Sequence, residues 1–266
     1  MTTRITSRQH PVVRRCRDLA ARRDRDSGFV LLDGEHLIAD AIAAAVRIDT
    51  LLTADESHPL AVEVAARGGT VFTVSPPVLS AASPVRTPSG VLAIAAWTPL
   101  QLSDVFDRRV SRYVGLVDVQ DPGNAGAVIR CADAFGGVPV LALGSTADPG
   151  GWKALRGAMG STFRIKVARG STENGLTQAR ERRVAIAATV TSGGTSVLAI
   201  DWSQPTLVLL GSEGAGLENA LVAAADYQLA IPMRPHVNSL NVSAAAAVIL
   251  FQAFSAFGSP RHLEAL

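Results

Sequence analysis

Short, nearly unbroken apolar runs alternate with longer amphipathic stretches along most of this chain, as expected where strands and helices take turns. In the C-terminal part, Tyr113–Val119, Val138–Leu143, Phe163–Val167, Val184–Thr189, Thr206–Leu210 and Gln228–Ile231 read as strands. Ala125–Phe135, Trp152–Met159, Leu176–Arg182, Leu217–Ala224 and Val242–Phe254 read as the helices between and after them. Strands apolar on both faces and separated by helices predict an α/β domain with a parallel sheet. The N-terminal part repeats the pattern on a smaller scale. It predicts an arginine-rich helix over Pro11–Arg23, strands at Phe29–Asp33, Ile48–Thr53, Thr70–Val74 and Val91–Ala96, and helices over Gly34–Val46 and Pro59–Arg67. Ser75–Gly90, rich in proline and serine, predicts a surface loop. Thr98-Pro99 and the polar residues after it break the pattern, so two domains are expected, 1–98 and 108–266, with a linker at about 99–107.

Composition narrows the class. Of 266 residues, 48% are hydrophobic and 18% charged, enough apolar material for globular cores. The longest apolar stretch, Val242–Phe254, is interrupted by Ser243 and Gln252, and nothing reaches the roughly 20 residues that span a bilayer. The N-terminus lacks the apolar centre of a secretion signal. A cytoplasmic protein with no membrane partner is the expectation. Cys16 and Cys131 form no CxxC pair and the five histidines show no ligand spacing, so no metal is expected. The net charge of +2 hides an asymmetry: residues 1–25 hold eight arginines against Asp18 and Asp24. Arginine forks suit phosphate oxygens, although a charge run alone more often marks a solvated helix face.

Three segments that follow strands carry candidate chemistry, at the sheet edge where α/β proteins gather ligands. In the first, Asp121-Pro-Gly makes a turn, Asn124 is placed to cap the next helix, and Arg130 lies six residues further on. The second is Gly211-Ser-Glu213-Gly214-Ala-Gly216, whose spacing matches neither a dinucleotide loop nor a phosphate loop. The third runs from Ile231-Pro-Met through Ser239-Leu240-Asn241-Val-Ser243 into a helix apolar almost all round. Such a helix needs a cover, and a second copy of the chain would supply one.

Together, Asn124-x-Gly126-x-x-x-Arg130, the glycine–glutamate loop and Ser239-Leu-Asn241-Val-Ser243 resemble the ordered motifs of the SPOUT-class, TrmH-like 2'-O-ribose RNA methyltransferases. The resemblance extends from about Tyr113 to Phe254. Ile5-Thr-Ser-Arg-Gln-His-Pro and Asp33-Gly-Glu-His are similar to an L30e-like RNA-binding domain found in many ribosomal-RNA members. The resemblance implies a trefoil knot, a homodimer through the C-terminal domain, S-adenosylmethionine as cofactor and RNA, ribosomal rather than transfer RNA, as substrate. It implies catalytic positions at Asn124, Arg130, Glu213, Ser239 and Asn241, and donor binding by Thr189, Gly211, Ile231 and Leu240. Arg4, Arg8, Arg14, Arg15, Arg22 and Arg156 are the expected RNA contacts. Relatives are described as using the arginine at position 130 as a base. A guanidinium carries only donors and stays protonated, which argues instead for stabilising an oxyanion or orienting a phosphate. Two rival readings fit less well. An unknotted Rossmann methyltransferase needs its glycine loop after the first strand, whereas here it comes late. A catalytically silent RNA-binding or ribosome-assembly protein would have no need of the full set of motif residues.

Overall fold

The computed structural model describes residues 3–21, 27–107 and 110–257. It divides into two compact units. One contains the chain through Thr98 together with Gly150–Phe163; the other contains Pro99–Pro149 and the chain from Arg164 onward.

The first unit is built on β1 (Thr3–Ile5), β2 (Phe29–Asp33), β3 (Ile48–Thr53), β4 (Thr70–Val74) and β5 (Val91–Ala96), in the sheet order β1-β4-β3-β5-β2. Strand β5 runs antiparallel to both of its neighbours. Successive side chains of a strand point to opposite faces, and β5 uses both. Val91, Ala93 and Ala95 pack with α2 (Glu35–Ala43) and α3 (Pro59–Ala66) on one side. Leu92 and Ile94 pack with α1 (Pro11–Ala20) and α4 (Pro76–Ala82) on the other. His10 and His58 cap α1 and α3 by accepting from the N–H groups of Val12 and Leu60.

Two expectations change here. The segment read as a loop from Ser75 contains α4, because Pro76 and Pro77 occupy the first helical positions, where a missing N–H costs nothing. Val78, Leu79 and Ala82 then share one buried face. The arginine-rich helix ends at Ala20 rather than Arg23, and Arg22 lies outside the described residues. The last element of this unit comes from far along the chain: α6 (Trp152–Ala158) inserts Leu155, with no exposed surface, beside Val30, Leu32 and Ile38.

The second unit holds seven parallel strands in the order β10-β12-β9-β11-β6-β7-β8. They are β6 (Arg112–Val117), β7 (Val140–Leu143), β8 (Val167–Gly170), β9 (Ala185–Val190), β10 (Thr195–Ser196), β11 (Thr206–Leu210) and β12 (Tyr227–Ala230). The strand read at Phe163–Val167 begins four residues later, since Ser161–Phe163 forms a single tight turn of helix instead. The helices are α5 (Pro122–Ala134), α7 (Thr172–Glu181), α8 (Asn219–Ala223) and α9 (Val242–Phe257). Helix α9 buries Val242, Ala246, Ile249, Leu250 and Ala253, a continuous helical stripe. It packs on α5, where Phe135 meets Phe251 and Phe254 at ring separations of 5.7 and 6.4 Å. Arg112 Nη1 donates to the Ala253 carbonyl at 2.6 Å, tying the start of β6 to the far end of α9.

Burying Leu155 fills a hole in the first unit, so Leu155→Ala should cost about 2–5 kcal/mol of that unit's stability, read from denaturant unfolding. A second outcome concerns Asp33. Burial raises its carboxyl pKa, against the opposing pull of the Ser83 hydroxyl and Arg156. An acid whose folded pKa exceeds its unfolded value of 3.8 loses stability as pH rises through the folded value. Asp33→Asn is therefore expected to raise Tm at neutral pH, with the gain disappearing below pH 3.8.

Candidate active site

The C-terminal ends of β9, β11 and β12 open into a cavity of about 500 Å³ closed by the loop after β11, the loop before α9 and the first turns of α9. Leu210, Leu229, Ile231, Val242 and Ile249 form its apolar walls. Thr189, next to last in β9, donates its hydroxyl to the Leu209 carbonyl at 2.8 Å, locking two of the strand ends together. The volume lies within the range of small-molecule and cofactor pockets.

The loop after β11 is exceptionally tight. Gly216 N–H donates to the Ser212 carbonyl at 3.0 Å, folding the segment back on itself. A β-carbon at Gly211 would collide with the Gly216 carbonyl carbon and come within 2.5 Å of the Leu217 nitrogen. Gly214 and Gly216 take φ values of +95° and +70°, which side chains disfavour. This curl sets Glu213 at the cavity's rim, exposed and facing two asparagines.

Asn124 was expected to cap α5, but Asp121 does so: its Oδ1 accepts the Asn124 N–H at 2.7 Å, and Pro122 begins the helix. Relieved of capping, the Asn124 side chain donates from Nδ2 to Glu213 Oε1 at 2.5 Å. Its Oδ1 accepts from Asn241 Nδ2 at 3.1 Å. Asn241 precedes α9 and accepts at Oδ1 from the Ser243 N–H (2.8 Å) and hydroxyl (2.6 Å). Residues 117 positions apart thus meet in one polar chain.

The SpoU rRNA Methylase family matches residues 111–251, more than half of the chain, and an MRM3-like substrate binding domain matches residues 10–93. The protein is also 31% identical to the 23S rRNA (guanosine(2553)-2'-O)-methyltransferase RlmP of Bacillus subtilis, over 93% of this chain and 97% of that one. The chain belongs to the SpoU rRNA methylase family. Among solved structures of similar fold, the AdoMet-bound rRNA methyltransferase from Sinorhizobium meliloti is 33% identical, with a TM-score of 0.88 over 97% of this chain and 99% of that one. The SpoU methyltransferase AviRb from Streptomyces viridochromogenes, also in complex with AdoMet, is 27% identical, with a TM-score of 0.83 over 93% and 98%.

The positions singled out in this SpoU-family sequence fall into two groups. Thr189, Gly211, Glu213, Ile231, Ser239, Leu240 and Asn241 all line the cavity, and Asn124 joins it through the hydrogen bonds to Glu213 and Asn241. Arg130 does not line it: the residue lies on an exposed part of α5 and forms no hydrogen bond or ion pair among the described residues. The expected RNA contacts divide as well. Arg4, Arg8, Arg14 and Arg156 are exposed. Arg15 is engaged, with Nη1 2.8 Å from Asp49 and its guanidinium 4.4 Å from the centre of the Phe29 ring.

Sequence reasoning missed Ser243 as part of the polar chain, and Met233, Ala245 and Ile249 as cavity walls. The spacing Val242-x-x-Ala245-x-x-x-Ile249, one helical face, was the available signal.

The lining suits S-adenosylmethionine. Glu213 is its one ionisable side chain and no Lys, Arg or His is present, so nothing in the lining repels a sulfonium. Gly211 further offers bare backbone at closest approach. Gly211→Ala should force the loop open and weaken S-adenosylmethionine binding at least about tenfold by calorimetry, because the obstruction is backbone that cannot rotate away.

Proposed function

We propose that this protein transfers the methyl group of S-adenosylmethionine to a ribose 2'-hydroxyl of ribosomal RNA, as a cytoplasmic homodimer. The observation that carries this reading is the convergence of Asn124, Glu213 and Asn241 at the rim of a cation-free, glycine-walled cavity. The kinship with ribosomal-RNA 2'-O-methyltransferases along nearly the whole chain favours ribosomal over transfer RNA. The trefoil threading of the chain around this cavity is part of the same proposal.

The donor supplies an electrophilic methyl group, and the protein's share is placement and charge. Holding both reactants in one site removes much of the entropic barrier. Asn124, Glu213, Ser239 and Asn241 are placed to hold the ribose at the rim, with Thr189, Gly211, Ile231 and Leu240 holding the donor behind it. Arg130 needs a further element, since it does not line its own chain's cavity. Helix α9 leaves Val248 and Phe251 41% and 56% exposed beside α5, an apolar face that a second copy would cover. At such a seam Arg130 would reach RNA phosphate or the reacting oxygen. Arg130→Ala is expected to cut the rate of methyl transfer about 100-fold or more while donor affinity is retained; an unimpaired rate removes Arg130 from the mechanism.

Exposed Arg4, Arg8 and Arg14 would bind RNA backbone from the first unit, and Arg156 would join them. Deleting residues 1–25 is a poor test, since Ile5, Val13, Cys16 and Leu19 belong to that unit's core. Changing Arg4, Arg8 and Arg14 to Gln should instead lower the salt slope of RNA binding by roughly two to three. The decisive assay is mapping of 2'-O-methylation on total RNA with and without the gene. Failure of the protein to bind S-adenosylmethionine would favour a silent RNA-binding scaffold.

A further inference from the structure

Methyl transfer to a hydroxyl also requires a group that removes the hydroxyl's proton. Arginine is a poor candidate: its guanidinium carries only donors and stays protonated, and Arg130 is outside the cavity lining. Glu213 is the one ionisable group of that lining, and the hydrogen bonds around it have a fixed direction.

That direction is set at α9. The backbone N–H of Ser243 can only donate, so the Asn241 atom it meets is the amide oxygen, 2.8 Å away. The Ser243 hydroxyl, 2.6 Å from the same oxygen, reinforces the choice. Asn241 Nδ2 then faces Asn124, whose oxygen receives it, leaving Asn124 Nδ2 to donate to Glu213 Oε1. Every donor in the chain points toward the carboxylate. The Asn124 end is itself fixed, its backbone N–H held by Asp121. Glu213 Oε2 accepts no hydrogen bond among the described residues and stands at the exposed rim.

We propose that Glu213 takes the proton of the ribose 2'-hydroxyl through Oε2, and that Ser243 is the positioning residue that orients it by way of Asn241 and Asn124. This rests on the methyl-transfer reading above. The hydroxyl oxygen bonds to the methyl carbon as the carbon–sulfur bond breaks, and that bond's electron pair stays on sulfur. The O–H proton passes to Glu213 as the new C–O bond forms, when the oxygen is turning acidic and a carboxylate suffices as acceptor. One positive and one negative charge disappear together, which a partly apolar cavity favours.

The test uses the full-length protein, S-adenosylmethionine and ribosomal RNA under single-turnover conditions. Glu213→Gln keeps size and hydrogen bonding but cannot accept the proton, so methyl transfer should slow about 100-fold or more. The affinities for S-adenosylmethionine and for S-adenosylhomocysteine should both change less than about threefold; a carboxylate serving only to neutralise the sulfonium would lose the first selectively. Added formate should restore part of the rate lost in Glu213→Ala. Ser243→Ala should slow transfer with donor affinity intact, and Ser243→Thr should restore it. A Glu213→Gln rate within a few-fold of the parent, selective loss of S-adenosylmethionine binding, or no formate rescue would each overturn the assignment. Absence of transfer by the unmodified protein would instead sink the methyl-transfer reading itself.

Discussion

The cavity depends on how closely the backbone after β11 doubles back on itself. With no room for a side-chain carbon at Gly211, and with two later glycines in the left-handed region, the loop turns within the space of Ser212–Gly216. A wider turn would carry Glu213 away from Asn124. It would also open the wall against which Leu210 and Ile231 define the apolar interior. The strands beneath make such a tight loop sustainable: β11 is buried along its entire length and pairs on both sides, with β6 and β9. Tertiary packing thus holds a conformation that the loop would not keep alone.

Local capping decides which polar groups remain available for chemistry. Asp121 takes the role that Asn124 would otherwise fill, and the asparagine is freed to face the rim. Asn241 performs both tasks, closing the start of α9 with its oxygen and reaching across with its nitrogen. An amide suits that double duty because it carries an acceptor and donors on one rigid plane. The two units also divide charge between them. The cavity of the second has no basic residue, whereas the first collects exposed arginines at its N-terminal edge. In the proposed reading the sulfonium and the polyanion, which make opposite demands, are bound by different parts of the chain.

Much of this was legible in the sequence where local patterning governs. Apolar runs placed β2–β5 and most strands of the parallel sheet, and polar residues just past strand ends marked the rim. The failures have particular causes. Paired prolines at 76 and 77 look like a loop signal, yet the same residues start α4 because helix N-termini tolerate them. Strand β1 is three residues long and exists through its pairing with β4, a partner nearly 70 positions away. Helical spacing also does not say which face of α5 the sheet covers, so it leaves the direction of Arg130 open. The link from Ser243 to Glu213 passes through two other side chains and shows only in the folded chain.

The exchange of Gly150–Phe163 into the first unit has a consequence for synthesis. That unit's core includes Leu155, and Trp97 meets the Phe163 ring edge-on at 6.4 Å. A nascent chain that has released only its first hundred residues therefore carries an open groove along Val30 and Leu32. At roughly 5–20 residues per second the missing helix follows several seconds later, after β6, α5 and β7 have been made. Order of appearance and order of completion are thus uncoupled, and neither half can be cut from the gene as one continuous stretch without leaving a gap in the other.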